Sequence, residues 1–540
     1  MPSRLAATLN LVMQTSTVRP HTPRILTRVK LFVLPLLAFV VLAGWSFSSP
    51  VGSSPDEDYH LASIWCAAGD RTSLCEETGD PAIRMVPREF ALDPCFARDS
   101  TESGACQVEA FSSPVLVDSA RGNFLGEYPP VFYATMSILA SDDVQTATLL
   151  MRLLNAALFV GLLTALVVLL PARHRPMAIG SFLISIVPLG LFLIPSINPS
   201  SWAITGVGVT WLALLGYFDS TGHRRWLLAG VFVLGMLMAA GSRADAGIYA
   251  VLAVAAVLFL RFTPSRDFVI VSILPIVAAI VALVATLSVG QIGSATQGFG
   301  GVDSPGVSGQ APVVPGGPAA PPAGATGLGL ALTNLVNVPS LWAGVFGFWS
   351  LGWFDTPLPA VVAFGCIGVF VAVGFSGLAN MDWRKTLVFS GAAIALWFIP
   401  TWTLTRGGDQ VGSEVQPRYL LPLIVLLAGF ALLESRGRGL RFSRVQRWIV
   451  GLTLIGAQSL SLYVNLRRYI TGDDVRAVNL NAGLEWWWAG IMSPMLFWLA
   501  ASLAGAAVVA ILLSMFASIP TTALGRASQL SQRALPVSEQ

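Results

Sequence analysis

Long apolar runs recur from one end of the chain to the other, and no other feature limits its fold so severely. They lie at about 31–47, 147–170, 177–196, 202–218, 226–241, 248–262, 268–290, 359–379, 388–404, 419–434, 448–465 and 492–515. A run of this kind is long enough to cross a bilayer as a helix, because only a helix or a closed barrel satisfies its own backbone in hydrocarbon. The expected fold is therefore an all-α polytopic membrane protein with roughly twelve transmembrane helices. Composition agrees: 54% of the residues are hydrophobic and 11% charged, where a soluble globular chain carries about a quarter charged residues. No basic tract suggests nucleic acid. Several runs are short, which implies helices buried by neighbours or stopping short of one interface.

Charge sets the orientation. With the N-terminus cytoplasmic, the inside loops and their edges contain Arg173, Arg175, Arg224, Arg225, Arg261, Arg266, Arg384, Lys385, Arg436, Arg438, Arg441, Arg444 and Arg447. The short outside loops hold the smaller set Arg243, Arg406, Arg418, Arg467, Arg468 and Arg476, as the positive-inside rule requires. The organisation read from this is a cytoplasmic tail over 1–30, a membrane domain over 31–515 and a cytoplasmic tail over 516–540. Two extracytoplasmic loops stand out, one over 48–146 and a Gly-, Pro- and Ala-rich one over 291–330. The expected location is the cell inner or plasma membrane, with the lipid bilayer as the obligate partner.

The first of these loops holds Cys66, Cys75, Cys95 and Cys106, whereas Cys366 lies in an apolar run. An even set in one oxidised segment predicts two disulfides with three pairings open. The spacings of nine, twenty and eleven contain no CxxC zinc knuckle. The same loop begins with Ser54, Pro55, Asp56, Glu57, Asp58, Tyr59, His60 directly after the first run. If this segment turns helical, Asp56 and His60 share a face four residues apart, with Glu57 one step round. It ends at Tyr128, Pro129 and Pro130, which reads as an interfacial segment or a Pro-started helix. Trp342, Phe346, Phe348, Trp349, Trp353 and Phe354 read either as an interfacial belt or as a surface for a sugar or isoprenoid chain to stack on.

Ionisable groups at the edge of a membrane bundle point to a site. Asp56, Glu57, Asp58 and His60 are the candidate catalytic residues. Arg418, with Gln416 and Tyr419 beside it, Arg152, Arg243 and Tyr128 are the candidates for binding a phosphate, since the guanidinium fork makes two hydrogen bonds to it at once. No GxxxxGK[ST] or HExxH stretch is present, and of His21, His60, His174 and His223 only His60 lies outside. A multi-histidine metal centre is excluded. A divalent metal on the acidic cluster stays open.

The order Pro55-Asp56-Glu57-x-x-His60, Tyr128-Pro129-Pro130, Arg152-x-x-Asn155, the aromatic stretch from Gly347 to Pro357 and Gln416-x-Arg418-Tyr419-x-x-Pro422 resembles a family of uncharacterised bacterial polytopic proteins known as a domain of unknown function. That family in turn resembles the GT-C glycosyltransferases of the cell envelope, which place an Asp or Glu in the first external loop and use a polyprenyl-phosphate-linked sugar. The resemblance implies an inverting transfer to an extracytoplasmic glycan or protein acceptor, with Asp56 as base and Arg418 on the donor phosphate. The four-cysteine loop departs from the known members. A transporter or lipid-linked glycan flippase, and a non-catalytic membrane assembly protein, are the competing readings.

Overall fold

A computed structural model describes residues 24–111, 115–291, 293, 327–379, 381–434 and 442–514. Most of both tails and most of the loop over 291–330 therefore lie outside the described residues. The chain is multi-pass and mostly helical. Ten described helices are long and apolar enough to cross a membrane, and Phe32–Phe47, Pro130–Leu139 and Pro417–Leu432 are shorter apolar ones.

Helix α1 (Arg24–Phe47) delivers the chain to the first loop. There α2 (Glu57–Cys66) packs beside a three-stranded antiparallel sheet, β1 (Glu76–Glu77), β2 (Arg84–Pro87) and β3 (Leu116–Ser119), in the order β1-β2-β3. Cysteines pair with their nearest neighbours in sequence, Cys66 with Cys75 and Cys95 with Cys106. Cys366 is free and buried. Pro130 starts α3 (Pro130–Met136), whose Phe132, Tyr133 and Met136 are buried and pack inward.

The bundle continues with α4 (Val144–Leu169). The expected span at 177–196 is not one helix. It is α5 (Arg175–Leu183), a turn over 184–188 and α6 (Leu189–Leu193). Pro188 has no N–H to donate and its ring crowds the preceding turn, which favours a break in the apolar run there. Pro275, by contrast, sits within a continuous helix. The centre is α7 (Pro199–Phe218), buried along nearly its whole length. It touches α8 (Gly222–Ala240) so closely that a Cβ on Gly206 would lie 2.6 Å from the Ala239 backbone nitrogen. Small residues permit such backbone contact between membrane helices. Next come α9 (Ala244–Arg261) and α10 (Arg266–Leu287), the helix that contains Pro275.

The segment Leu328–Phe348 also differs from expectation. It is helical, as α11 (Leu328–Asn337), α12 (Pro339–Ala343) and a wide turn over Gly344–Phe348. Four further helices follow: α13 (Ala360–Leu378), α14 (Trp383–Gly407), α15 (Pro417–Leu432) and α16 (Arg444–Ile470). A fifth, α17 (Pro494–Ser514), ends the described chain.

Contacts show that Leu328–Phe348 begins and ends near the disulfide-bearing loop. Asn334 donates to the Asp409 carbonyl at 2.9 Å, just past the end of α14. A Cβ on Gly344 would meet Pro417 at the start of α15. Beyond the turn, Trp353 donates to the Gly52 carbonyl at 2.8 Å, and Asp355 pairs with Arg468 at 2.9 Å. An apolar helix long enough to cross thus dips in and returns, which the sequence read only as an aromatic edge. Short α15 matches its expectation, being buried on nearly all sides.

Candidate functional site

The acidic cluster splits in three directions. Pro55 precedes Asp56, and Asp56 itself is the N-cap of α2 with left-handed dihedrals, φ 58° and ψ 20°. Among non-glycine residues Asp and Asn adopt this conformation most readily, and it turns the Asp56 side chain away from its neighbours. The helix starts only at Glu57, so the single helical face expected for Asp56, Glu57 and His60 does not form.

Glu57 points into the bundle. It is fully buried and faces Arg152, whose Nη2 donates to Oε1 at 3.0 Å and to Oε2 at 3.1 Å. Glu57 also accepts from the Ser54 backbone N–H at 2.9 Å. Arg152 spends its remaining donors on the carbonyls of Ser46 (3.0 Å), Ser49 (2.8 Å) and Pro50 (2.8 Å). It sits eight residues into α4, about 12 Å from the helix start at 1.5 Å per residue. The Arg152 guanidinium is thus saturated by the chain that leaves α1 and has no donor facing a ligand. Asn155 holds the next turn, donating to the Ser196 carbonyl at 2.8 Å and accepting from Trp202 at 2.9 Å.

Asp58 turns to the loop instead. Its carboxylate is buried and accepts from Nε and Nη2 of Arg121, the latter at 3.1 Å. Burial pushes this carboxyl up, and the Arg121 hydrogen bond and charge work against that rise. Arg121 lies also 3.8 Å from Asp56. The sequence reading missed Arg121, because no apolar run or motif flags it.

Asp56 alone of the three faces open space, with 39% of its side chain exposed. Arg418, 3% exposed, donates from Nη2 to Asp56 Oδ2 at 2.5 Å and from Nη1 to the Pro55 carbonyl at 2.9 Å. Asn198 binds the same carbonyl at 2.8 Å. Nε of Arg418 is buried with no partner among the described residues. Burial would raise the Asp56 carboxyl, but Arg418, then His60 and Arg121, outweigh it and hold the carboxyl at about 2.

Aromatic rings wall this opening. His60 is buried, and its Nδ1 meets the Tyr133 hydroxyl at 3.0 Å. Its ring contacts those of Tyr59, Tyr128 and Tyr133 with centroids 5.4, 5.6 and 6.0 Å away. Burial pushes the imidazole down to about 3, against the pull of Asp56, so His60 is neutral near pH 7. Arg243 lies 4.3 Å over the Tyr419 ring and 6.0 Å from that of Tyr128, and is paired with Asp245 at 2.9 Å. Gln416 is the N-cap of α15, two residues before Arg418.

The structure therefore brings together Asp56, His60, Arg418, Tyr419, Arg243 and Tyr128 from four separate stretches, and sends Glu57 and Arg152 elsewhere. Two carboxylates that the sequence reading passed over, Asp409 and Glu414, lie on the loop before Gln416. Burial and then Glu414 push Asp409 up to about 6, while burial and then Asp56 raise Glu414.

The family model described as Predicted membrane protein (DUF2142) matches residues 39–427. The chain belongs to this family. The matched stretch contains the acidic cluster and each arginine that pairs with it, whereas Arg468 and the last two helices of this DUF2142 member lie beyond it. No curated protein and no solved structure matches the chain. Among the described residues, no group of three or more His, Cys, Asp or Glu side chains could hold a metal ion. Among the described residues, each carboxylate of the DUF2142 protein's cluster pairs with an arginine instead: Asp56 with Arg418, Glu57 with Arg152 and Asp58 with Arg121.

Proposed function

We propose that this protein is an integral membrane glycosyltransferase, moving a sugar from a polyprenyl-phosphate donor to an acceptor hydroxyl on the extracytoplasmic side. In this reading the loop over 48–146 faces outward, both termini are cytoplasmic, and the chain over 31–515 is one membrane domain crossing about twelve times. One observation carries the proposal: Asp56 is the single open carboxylate of the cluster and lies against a buried arginine with an unused Nε.

A resting Asp56 held at about 2 is a weak base. The donor phosphate competes for Arg418, and as the guanidinium turns to it Asp56 loses the partner that holds its proton affinity down. Asp56 then takes the acceptor hydroxyl proton while that oxygen bonds to the anomeric carbon. The bond from that carbon to the phosphate oxygen breaks, and the electron pair leaves on the lipid phosphate. One displacement inverts the anomeric centre. Tyr59, Tyr128 and Tyr419 offer faces for a sugar ring, and neutral His60 can share a hydrogen bond without adding charge.

The test is sugar transfer by purified protein in lipid vesicles with a polyprenyl-phosphate sugar. Asp56→Asn should lower turnover by about a hundredfold to ten-thousandfold, the usual loss for a general base. Turnover near wild type would end the proposal.

A second reading has its own support. The broken α5–α6 segment meets the returning helix where a Cβ on Gly347 would lie 3.3 Å from Pro188, and broken helices that meet near a site are a transporter device. Vesicles that move a lipid-linked sugar without forming product would favour it.

A further inference from the structure

The proposed transfer asks Arg418 to leave Asp56 for a phosphate, yet Arg418 is also one of two donors on the Pro55 carbonyl. Its Nη1 donates to that oxygen at 2.9 Å, and the Asn198 side-chain amide donates to it at 2.8 Å. A carbonyl oxygen has two lone pairs, so the two donors fill it. The peptide they hold is the one that enters Asp56. Its left-handed backbone, φ 58°, is one that a non-glycine residue keeps only where its surroundings impose it.

Asn198 is fixed independently of Arg418. It is fully buried as the N-cap of α7, where its Oδ1 accepts from the Ser200 N–H at 2.9 Å. The turn before it is tied to α4, because Asn155 donates to the Ser196 carbonyl at 2.8 Å and accepts from Trp202 at 2.9 Å. Behind it, α7 is buried along nearly its whole length. A backbone N–H on one side of the Asn198 amide and a carbonyl on the other fix which atom is oxygen and which nitrogen. Capping the helix uses only the oxygen. The nitrogen is left to hold Pro55.

We propose that Asn198 is a positioning residue for Asp56: when a phosphate draws Arg418 away, Asn198 keeps the Pro55 carbonyl, and with it the left-handed turn that aims the Asp56 carboxylate at the acceptor hydroxyl. The effect on turnover rests on the transferase reading, whereas the hold on the Pro55 carbonyl does not. Arg418 is the donor that can leave, because it sits at the opening with an unused Nε. Asn198 is the donor that stays, because the most buried helix of the bundle carries it.

Asn198→Ser separates holding from capping, since serine caps a helix as well as asparagine but is too short to reach Pro55. Hydrogen exchange of the full-length protein in lipid-containing micelles reads the turn through the Glu57 and His60 amides, which bond the Ser54 and Asp56 carbonyls at 3.0 Å. Asn198→Ser alone should exchange there like wild type, because Arg418 remains. Added to Arg418→Gln, it should speed exchange about fivefold to tenfold, the worth of one hydrogen bond. A polyprenyl phosphate without a sugar should produce the same acceleration in Asn198→Ser and none in wild type. In sugar transfer, Asn198→Ser should lower kcat about tenfold and leave the donor KM unchanged. The proposal is overturned if the double variant exchanges like Arg418→Gln, or if Asn198→Ser transfers like wild type or raises the donor KM alone. A wild-type protein that transfers no sugar removes the transferase reading, and exchange without added lipid phosphate then decides whether Asn198 holds Asp56.

Discussion

Exchanging Glu57 for Gln separates a structural carboxylate from a chemical one. Glu57 is fully buried against an Arg152 that is 2% exposed, with three donor–acceptor contacts between 3.0 and 3.3 Å. Removing one charge of such a pair leaves the other uncompensated, at a typical cost of about 3–5 kcal/mol. Gln keeps an amide oxygen for the Ser54 N–H or one Arg152 donor, worth about 1 kcal/mol, so a loss of about 3 kcal/mol is expected. Thermal unfolding in lipid-containing micelles should therefore show Glu57→Gln melting well below wild type. Asp56→Asn should melt closer to it, because that site is open to solvent and Asn tolerates the left-handed backbone. Replacing both partners, Glu57→Leu with Arg152→Leu, should recover part of the loss. It cannot recover all, since the carbonyls of Ser46, Ser49 and Pro50 lose their donor. Glu57→Gln protein that remains folded should still transfer sugar. If instead it melts like wild type and loses turnover as fully as Asp56→Asn, the structural assignment of Glu57 is wrong.

Arg418→Lys keeps the charge but loses the fork that reaches both Asp56 and the Pro55 carbonyl, so donor affinity should drop by about tenfold; unchanged affinity for a polyprenyl phosphate in a binding titration would count against the role. The contribution of His60 and Asp56 to the pH dependence of stability has a definite sign. His60 lies at about 3 against an ordinary 6.5, through burial, and Asp56 at about 2 against 3.8, because Arg418 overcomes burial. The unfolded chain thus binds more protons in both intervals. Their share of the stability is fully present above about pH 6.5 and declines as pH falls toward 3, more steeply once below about 4, while Asp409, raised to about 6, contributes the opposite slope between about 4 and 6. In melting curves taken between pH 6 and 4, His60→Gln should lose less stability than wild type as pH falls; an unaltered slope removes His60 from the account. Thiol labelling of unreduced, denatured protein should modify Cys366 alone, and labelling of Cys66 or Cys95 would contradict the disulfides.

Much of the fold is legible in the chain because hydrocarbon allows so few solutions. A run such as 147–170 must become a helix like α4, and four cysteines in one oxidised loop must find partners there. Asp56, His60 and Arg418 could be singled out because charges beside apolar runs need a reason. Local order could not say how the three adjacent carboxylates divide. That depended on the left-handed turn at Asp56 and on Arg121, Arg152 and Arg418, which come from 63 to 362 residues away in sequence. Composition likewise could not separate a crossing helix from the returning one at Leu328–Phe348. Both are apolar, and only the positions of Asn334, Gly344 and Trp353 against distant segments distinguish them. Hydropathy follows the solvent that each residue meets, whereas the pairing of buried charges follows which helices become neighbours.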